Sequence, residues 1–160
     1  TPSYPNLLLP LAIVGTDPAL ARYNVVTSAP ASTWLNRSVF TRNGAQNAPS
    51  LGYVAPPLDG VWATAPFLHN GSVPTLAALF ESSTRPKYWT RSYDSRDFDP
   101  EAVGWKFERL DHGQADETNA AARRRIVDTT LAGLGNGGHT AGDGMTPAQR
   151  RAVIEYLKTL

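Results

Sequence analysis

The chain has 160 residues, of which 41% are hydrophobic and 18% charged, and carries a formal net charge of +1. This length and apolar content support one domain, or a large part of one, with its own core, and the near-neutral balance argues against nucleic acid as the main partner. Cysteine is absent, which removes disulfides, cysteine-based zinc sites and thiolate catalysis, and no apolar run reaches the roughly 18 residues of a membrane span.

In chain order, residues 1–15 carry three prolines and read as an extended arm. The apolar run from Leu7 to Val14 is short and broken by Pro10, as expected of a buried segment rather than a signal peptide. Thr1 is not an initiator Met, so the chain reads as a piece of a longer or processed protein. Asp17-Pro18 has the form of an N-cap followed by Pro at the first helical position, which predicts a short helix to about Tyr23. Residues 27–56 are rich in Ser, Asn, Pro and Ala, with weak patterning and a short helix near Ser32–Arg42. A dense loop follows over 56–74. Pro74 fits the first turn of a helix that sets Leu76, Leu79 and Phe80 on one face. Arg85-Pro86 marks an extended exit. Aromatic residues interleave with charge over 86–112, as in a short hairpin or a loop, and Arg123–Ile126 reads as a strand. Six glycines between Gly133 and Gly144 imply another loop. Thr146, Pro147 and Gln149 form a capping box ahead of Val153, Ile154, Leu157 and Leu160 at helical spacing.

The candidate chemistry centres on three histidines. His69 sits in the dense loop, and His112 in a polar loop. His139 lies in Gly135-Asn136-Gly137-Gly138-His139-Thr140-Ala141-Gly142, where small neighbours leave an imidazole open to a planar group or a metal. The same pattern also suits an ordinary surface connection. Zinc spacing is absent among them. Ser72 lacks the Gly-x-Ser-x-Gly elbow of a hydrolase and reads as a helix cap. Asp94, Asp97, Asp99 and Glu101 cluster with Arg91 and Arg96, a pattern compatible with acid–base work or calcium but more ordinary as a solvated loop. Arg123-Arg124-Arg125 reads as a solvated face. Asn36-Arg37-Ser38 and Asn70-Gly71-Ser72 match glycosylation sequons, which also arise by chance.

The stretch Pro57-Leu58-Asp59-Gly60-Val61-Trp62-Ala63-Thr64-Ala65-Pro66-Phe67-Leu68-His69-Asn70-Gly71-Ser72-Val73-Pro74-Thr75-Leu76 resembles the haem-pocket loop of the bacterial di-haem cytochrome c peroxidase superfamily. Its closest resemblance is to the branch of rubber oxygenase-like c-type cytochromes. Arg85-Pro86, Asp97-Phe98-Asp99-Pro100, Val103-Gly104 and Asn136-Gly137-Gly138-His139 follow in that branch's order. Glu155-Tyr156-Leu157-Lys158-Thr159-Leu160 resembles the closing helix of a class I cytochrome c domain.

The resemblance covers about residues 50–160. It implies a mostly α fold with long loops, a partial class I cytochrome c-like domain at 51–160 behind a loop-rich lead-in at 1–50. The implied cofactor is haem c, with the attachment motif not in this chain. The implied partners are a haem-bearing preceding segment or separate chain, and a redox partner. The implied setting is periplasmic or extracellular.

In the peroxidases the position fourteen after the loop histidine is a Met ligand; here it is Ser83. The oxygenase-like branch instead implies His139 as the iron ligand, with Met145 as runner-up. His69 and Trp62 would line the haem edge, and Arg85 would pair with a propionate. Pro56 stands where the family loop has Arg. The implied role is electron transfer in support of peroxidase or dioxygenase chemistry at another haem. The alternative is a haem-free structural or binding subunit that keeps the half-domain shape.

Overall fold

The computed structural model describes residues 7–27 and 51–160. The expected helix at Ser32–Arg42 and the Asn36 sequon lie outside the described residues. The chain divides into two compact units, one formed by Thr1–Val14 with Pro18–Pro56 and the other by Gly15–Asp17 with Pro57–Leu160.

In the first unit, β1 (Leu8–Pro10) pairs antiparallel with β2 (Gly52–Val54), with Leu9 opposite Tyr53. One helical turn, α1 (Leu11–Val14), follows β1. The Leu7–Val14 segment is not the buried run expected: Leu7, Leu8 and Ile13 are exposed and only Val14 is buried. A two-stranded pairing has one face to bury at most, so alternate residues stay in solvent. Residues 19–27 form helix α2. The Pro18 carbonyl accepts from Arg22 N–H at 2.9 Å, so the helix starts just after Pro18, one residue later than the Asp-Pro signal indicates, and runs further than Tyr23.

The second unit is built on the dense loop. Phe67 and Val73 exchange both backbone hydrogen bonds, at 2.7 and 3.3 Å, and close the segment between them into a tight excursion. Thr75 caps α3 (Leu76–Phe80) by accepting from Ala78 N–H. The helix therefore begins two residues after Pro74, behind its Thr75 cap, and lasts only five residues, because Glu81 leaves helical geometry. Leu76 and Ala77 N–H groups donate to the Val103 and Ala102 carbonyls, which satisfies helix-start donors with the distant turn ahead of Gly104. Phe67, Val73, Leu76, Ala78, Val103, Ile154 and Leu157 form the core. Each side chain removed from water there contributes about 1.5–3 kcal/mol.

The expected mostly α fold is overturned. Beyond α3, the aromatic segment folds as small antiparallel sheets. β3 (Tyr88–Arg91) is the centre of a three-stranded sheet, flanked by β6 (Phe107–Arg109) and β7 (Val127–Asp128). β4 (Phe98–Asp99) pairs with β5 (Gly104–Trp105). Trp89 is fully buried and donates its indole N–H to the Ser72 carbonyl at 3.2 Å. Phe107 meets it edge-on at 5.9 Å. Bulky aromatics at alternating positions favour a pleated surface over a helix.

Residues Arg123–Ile126 are not a strand. Asn119 caps a short helix, α4 (Ala120–Arg123), and the chain turns into β7 only at Val127. Gly104 must be glycine, because a Cβ there would collide with the Pro74 carbonyl oxygen. The C-terminal helix α5 (Pro147–Leu157) forms as the sequence indicates, with the Thr146/Gln149 capping box complete and Ile154 and Leu157 in the core.

Candidate functional site

The glycine-rich loop over 133–139 is fixed almost entirely through its backbone. The Asp17 carboxylate accepts from Gly133 N–H and Gly135 N–H, both at 3.1 Å. Asn70 donates its side-chain amide to the Gly133 and Gly135 carbonyls at 3.1 and 2.9 Å. Ser72 donates its hydroxyl to the Gly135 carbonyl at 3.2 Å, and the Asn136 amide donates to the Pro86 carbonyl at 3.0 Å. Glycine at 135 lets the backbone approach Asp17; a Cβ there would fall 2.9 Å from its carboxylate oxygen.

Arg85 closes the same loop from the other side. Its Nε donates to Ala78 O (3.1 Å) and its Nη2 to Leu79 O (2.9 Å), both at the end of α3. Its Nη1 donates to Asn136 O (2.6 Å) and Gly138 O (2.7 Å), and Nη2 also reaches His139 O (3.2 Å). All five donors of the planar guanidinium are thus used on main-chain carbonyls, a geometry that an ammonium cannot reproduce. The side chain expected to meet a propionate is a staple between helix α3 and the glycine loop.

His139 comes at the end of this fixed segment, with φ 50° and ψ 46°, a left-handed conformation that is rare for a residue with a Cβ. Its residue surface is exposed. Its basicity is nevertheless lowered, first by desolvation of the ring and then by the charges of Arg85 and His69. His69 is half-buried, and burial lowers its basicity too, while Asp17 acts the other way. The fold therefore brings His69 and His139 close enough to repel when protonated, although 70 residues separate them. Both favour the neutral imidazole, the form that ligates metal.

Trp62 lies on a single 3-10 turn (Val61–Ala63) and is 42% exposed. Met145 is half-buried just before α5, its N–H bonded to the Gly142 carbonyl.

The other candidates are accounted for by structure. Ser72 is fully buried and its hydroxyl holds the glycine loop, while the cap of α3 is Thr75. Asn70 uses its amide internally, so it does not present a free glycan acceptor. Asp94 pairs with Arg96 at 2.6 Å, Asp97 accepts from Ser92 at 2.7 Å, and Asp99 accepts from Glu101 and Ala102 N–H. Among the described residues, no group of three or more His, Asp or Glu could hold a metal ion. The role of Asn70, Ser72 and Asp17 as loop anchors was missed by sequence reasoning. Their acceptors are backbone atoms, and only the run of glycines hinted that a backbone would be approached closely.

A family model described as RoxA-like, cytochrome c-like matches residues 52–90. Two curated relatives from Sinorhizobium fredii are similar. "Uncharacterized protein y4iJ" is 42% identical over 125 residues, covering 74% of this chain and 19% of its own length. "Uncharacterized protein y4iM" is 34% identical over 124 residues, covering 68% of this chain and 27% of its own length. The chain spans between a fifth and about a quarter of the curated relatives it matches. The segment that carries His69, Asn70, Ser72 and Arg85 matches a cytochrome c-like domain.

Proposed function

We propose that this chain is part of a c-type haem protein and supplies the distal axial ligand, His139, to a haem whose covalent attachment lies in a preceding segment or a separate chain. The observation that carries the reading is the fixed glycine loop. It holds His139 at a strained left-handed position through a staple of five Arg85 hydrogen bonds, and desolvation and the Arg85 charge lower the basicity of the imidazole. The donor set would fit an iron ligand: an imidazole of lowered basicity at His139 and a second one nearby at His69. It does not fit covalent attachment, since the chain has no cysteine.

A haem bound with two nitrogen ligands supplies reversible one-electron chemistry. His139 would hold the iron, His69 and Trp62 would stand beside the group, and Arg85 would set the position of the ligand, since it holds the carbonyl of His139 and those of Asn136 and Gly138. Met145 is the second candidate for the ligand. The role is electron transfer in a di-haem, peroxidase- or oxygenase-like protein of the periplasm or the extracellular space, supporting oxidative chemistry at another haem.

The test is the absorption and paramagnetic resonance spectrum of the full-length protein. His139→Gly should convert a low-spin signature to high-spin and recover it with added imidazole, while Met145→Leu should leave it unchanged. A full-length protein with no Soret band would overturn the reading and favour the haem-free structural subunit. An unaltered spectrum in His139→Gly would remove His139 from the ligand set.

A further inference from the structure

On the sheet side of the same unit, Thr90, Arg91, Leu110, His112, Asn119 and Arg125 contribute to a cleft of about 470 Å³. Two of its arginines, Arg91 and Arg125, also approach one ring outside that lining. Arg91 lies 4.7 Å and Arg125 5.5 Å from the centre of the Tyr93 ring, and Arg91 is also 5.8 Å from that of Trp105. Among the described residues, no hydrogen bond or ion pair engages either guanidinium, although every one of the five donors of Arg85 is used. Stacking occupies the flat faces and leaves the N–H edges available.

The acidic residue in the cleft does not neutralise them. Glu117 is turned to His112, with Oε2 3.7 Å from Nε2, and Asp111 accepts at 2.7 Å on the other ring nitrogen. Both carboxylates favour the charged imidazolium and compensate it locally, so the uncompensated positive charge of this wall is that of Arg91 and Arg125, which share the Tyr93 ring. A planar or tetrahedral oxyanion matches such edges in bidentate fashion.

We propose that this cleft binds a small oxyanion of charge −2, a phosphate or dicarboxylate group, through the paired edges of Arg91 and Arg125. The inference does not rest on the haem reading. It also separates Arg125 from its neighbours in the basic run: Arg123 is tied to the Glu117 carbonyl at 2.9 Å.

The test is calorimetric titration of the full-length protein with inorganic phosphate and with succinate at constant ionic strength. Saturable binding of either supports the site, and the preferred anion identifies a phosphoryl or a dicarboxylate ligand. Arg91→Gln and Arg125→Gln should each weaken binding roughly tenfold or more. Arg96→Gln, whose partner Asp94 is elsewhere, should not. If the glutamine variants fail to fold, Arg91→Lys and Arg125→Lys keep the charge and lose the fork, and should still weaken binding. Absence of saturable binding, equal displacement by chloride, or binding unchanged in both lysine variants would overturn the proposal.

Discussion

Replacing Arg85 by Lys keeps the charge and removes the fork, and so isolates the staple between α3 and the glycine loop. The guanidinium makes five hydrogen bonds to carbonyl groups, at 3.1, 2.9, 2.6, 2.7 and 3.2 Å. A hydrogen bond to a charged group is worth about 1.5–3 kcal/mol net. The sum of five would overshoot, because the His139 carbonyl is exposed and water replaces part of what is lost. A lysine has three donors on one nitrogen and reaches one side of the gap, either α3 or the loop. Two or three partly buried carbonyls then lose their donor. The expected cost is about 2–4 kcal/mol. Urea unfolding of the full-length protein, followed by tryptophan fluorescence and by far-ultraviolet circular dichroism, measures it. A second readout is the spin state of any bound haem, which should change because the loop carrying His139 is released. A lysine variant within about 0.5 kcal/mol of the parent, a shift typical of a plain surface substitution, would refute the argument that the planar fork holds this loop.

Asn70→Asp should destabilise more than Asn70→Ala, by about 1 kcal/mol, since it sets a carboxylate against the Gly133 and Gly135 carbonyls; thermal unfolding of the two variants ranks them. His139→Gly should leave stability unchanged or raise it by up to about 1 kcal/mol, because it relieves the left-handed strain at φ 50°, even as it removes the ligand proposed for the haem. Denaturant midpoints read against spectra separate those two effects. Thr146→Ala should cost about 1 kcal/mol through loss of the capping box of α5. Two pH profiles follow with opposite sign. His112 is held above its usual 6.5 by its hydrogen bond to Asp111, so its contribution to stability is present below 6.5 and fades as pH rises through the raised value. A stability profile in which His112→Gln shows the same slope as the parent would contradict this. His139 is held below 6.5 by desolvation first, so its ligating neutral form persists as pH falls past 6.5; a spectral titration of the full-length protein that breaks above 6.5 would contradict it.

The parts of the fold that could be read in advance are those whose signals are local. Thr146-Pro147 and Gln149 announce α5 because a capping box is a contact between neighbours. Pro18 announces α2 through its own fixed φ, which suits a helix start, and its carbonyl accepts from Arg22 N–H. The small sheets were not legible as such: β3, β4, β5 and β6 have two to four residues each, too short for a period of two to show. They form because Trp89 is buried against Ser72 and Phe107, contacts made across the chain. The family resemblance led to a mostly helical expectation that these contacts override. At the site, the choice of His69 and His139 came from sequence, and their proximity came only from the fold. Arg85 was singled out through the resemblance, as a propionate partner, and the carbonyl groups that its guanidinium meets in the fold were not visible in the sequence, since carbonyl groups occur at every residue.

The Asp17 carboxylate bonds to Gly133 and Gly135 across 116 and 118 residues of chain. Closing a loop of that length has a large entropic cost, and that cost is met before the two hydrogen bonds can form. The Asp17 contact therefore comes after the local capping contacts of α5 in the order of assembly, and it adds a last restraint to a loop that Asn70, Ser72 and Arg85 already tether over shorter stretches of chain. Asp17→Ala should slow the final ordering of the glycine loop more than it slows formation of α5.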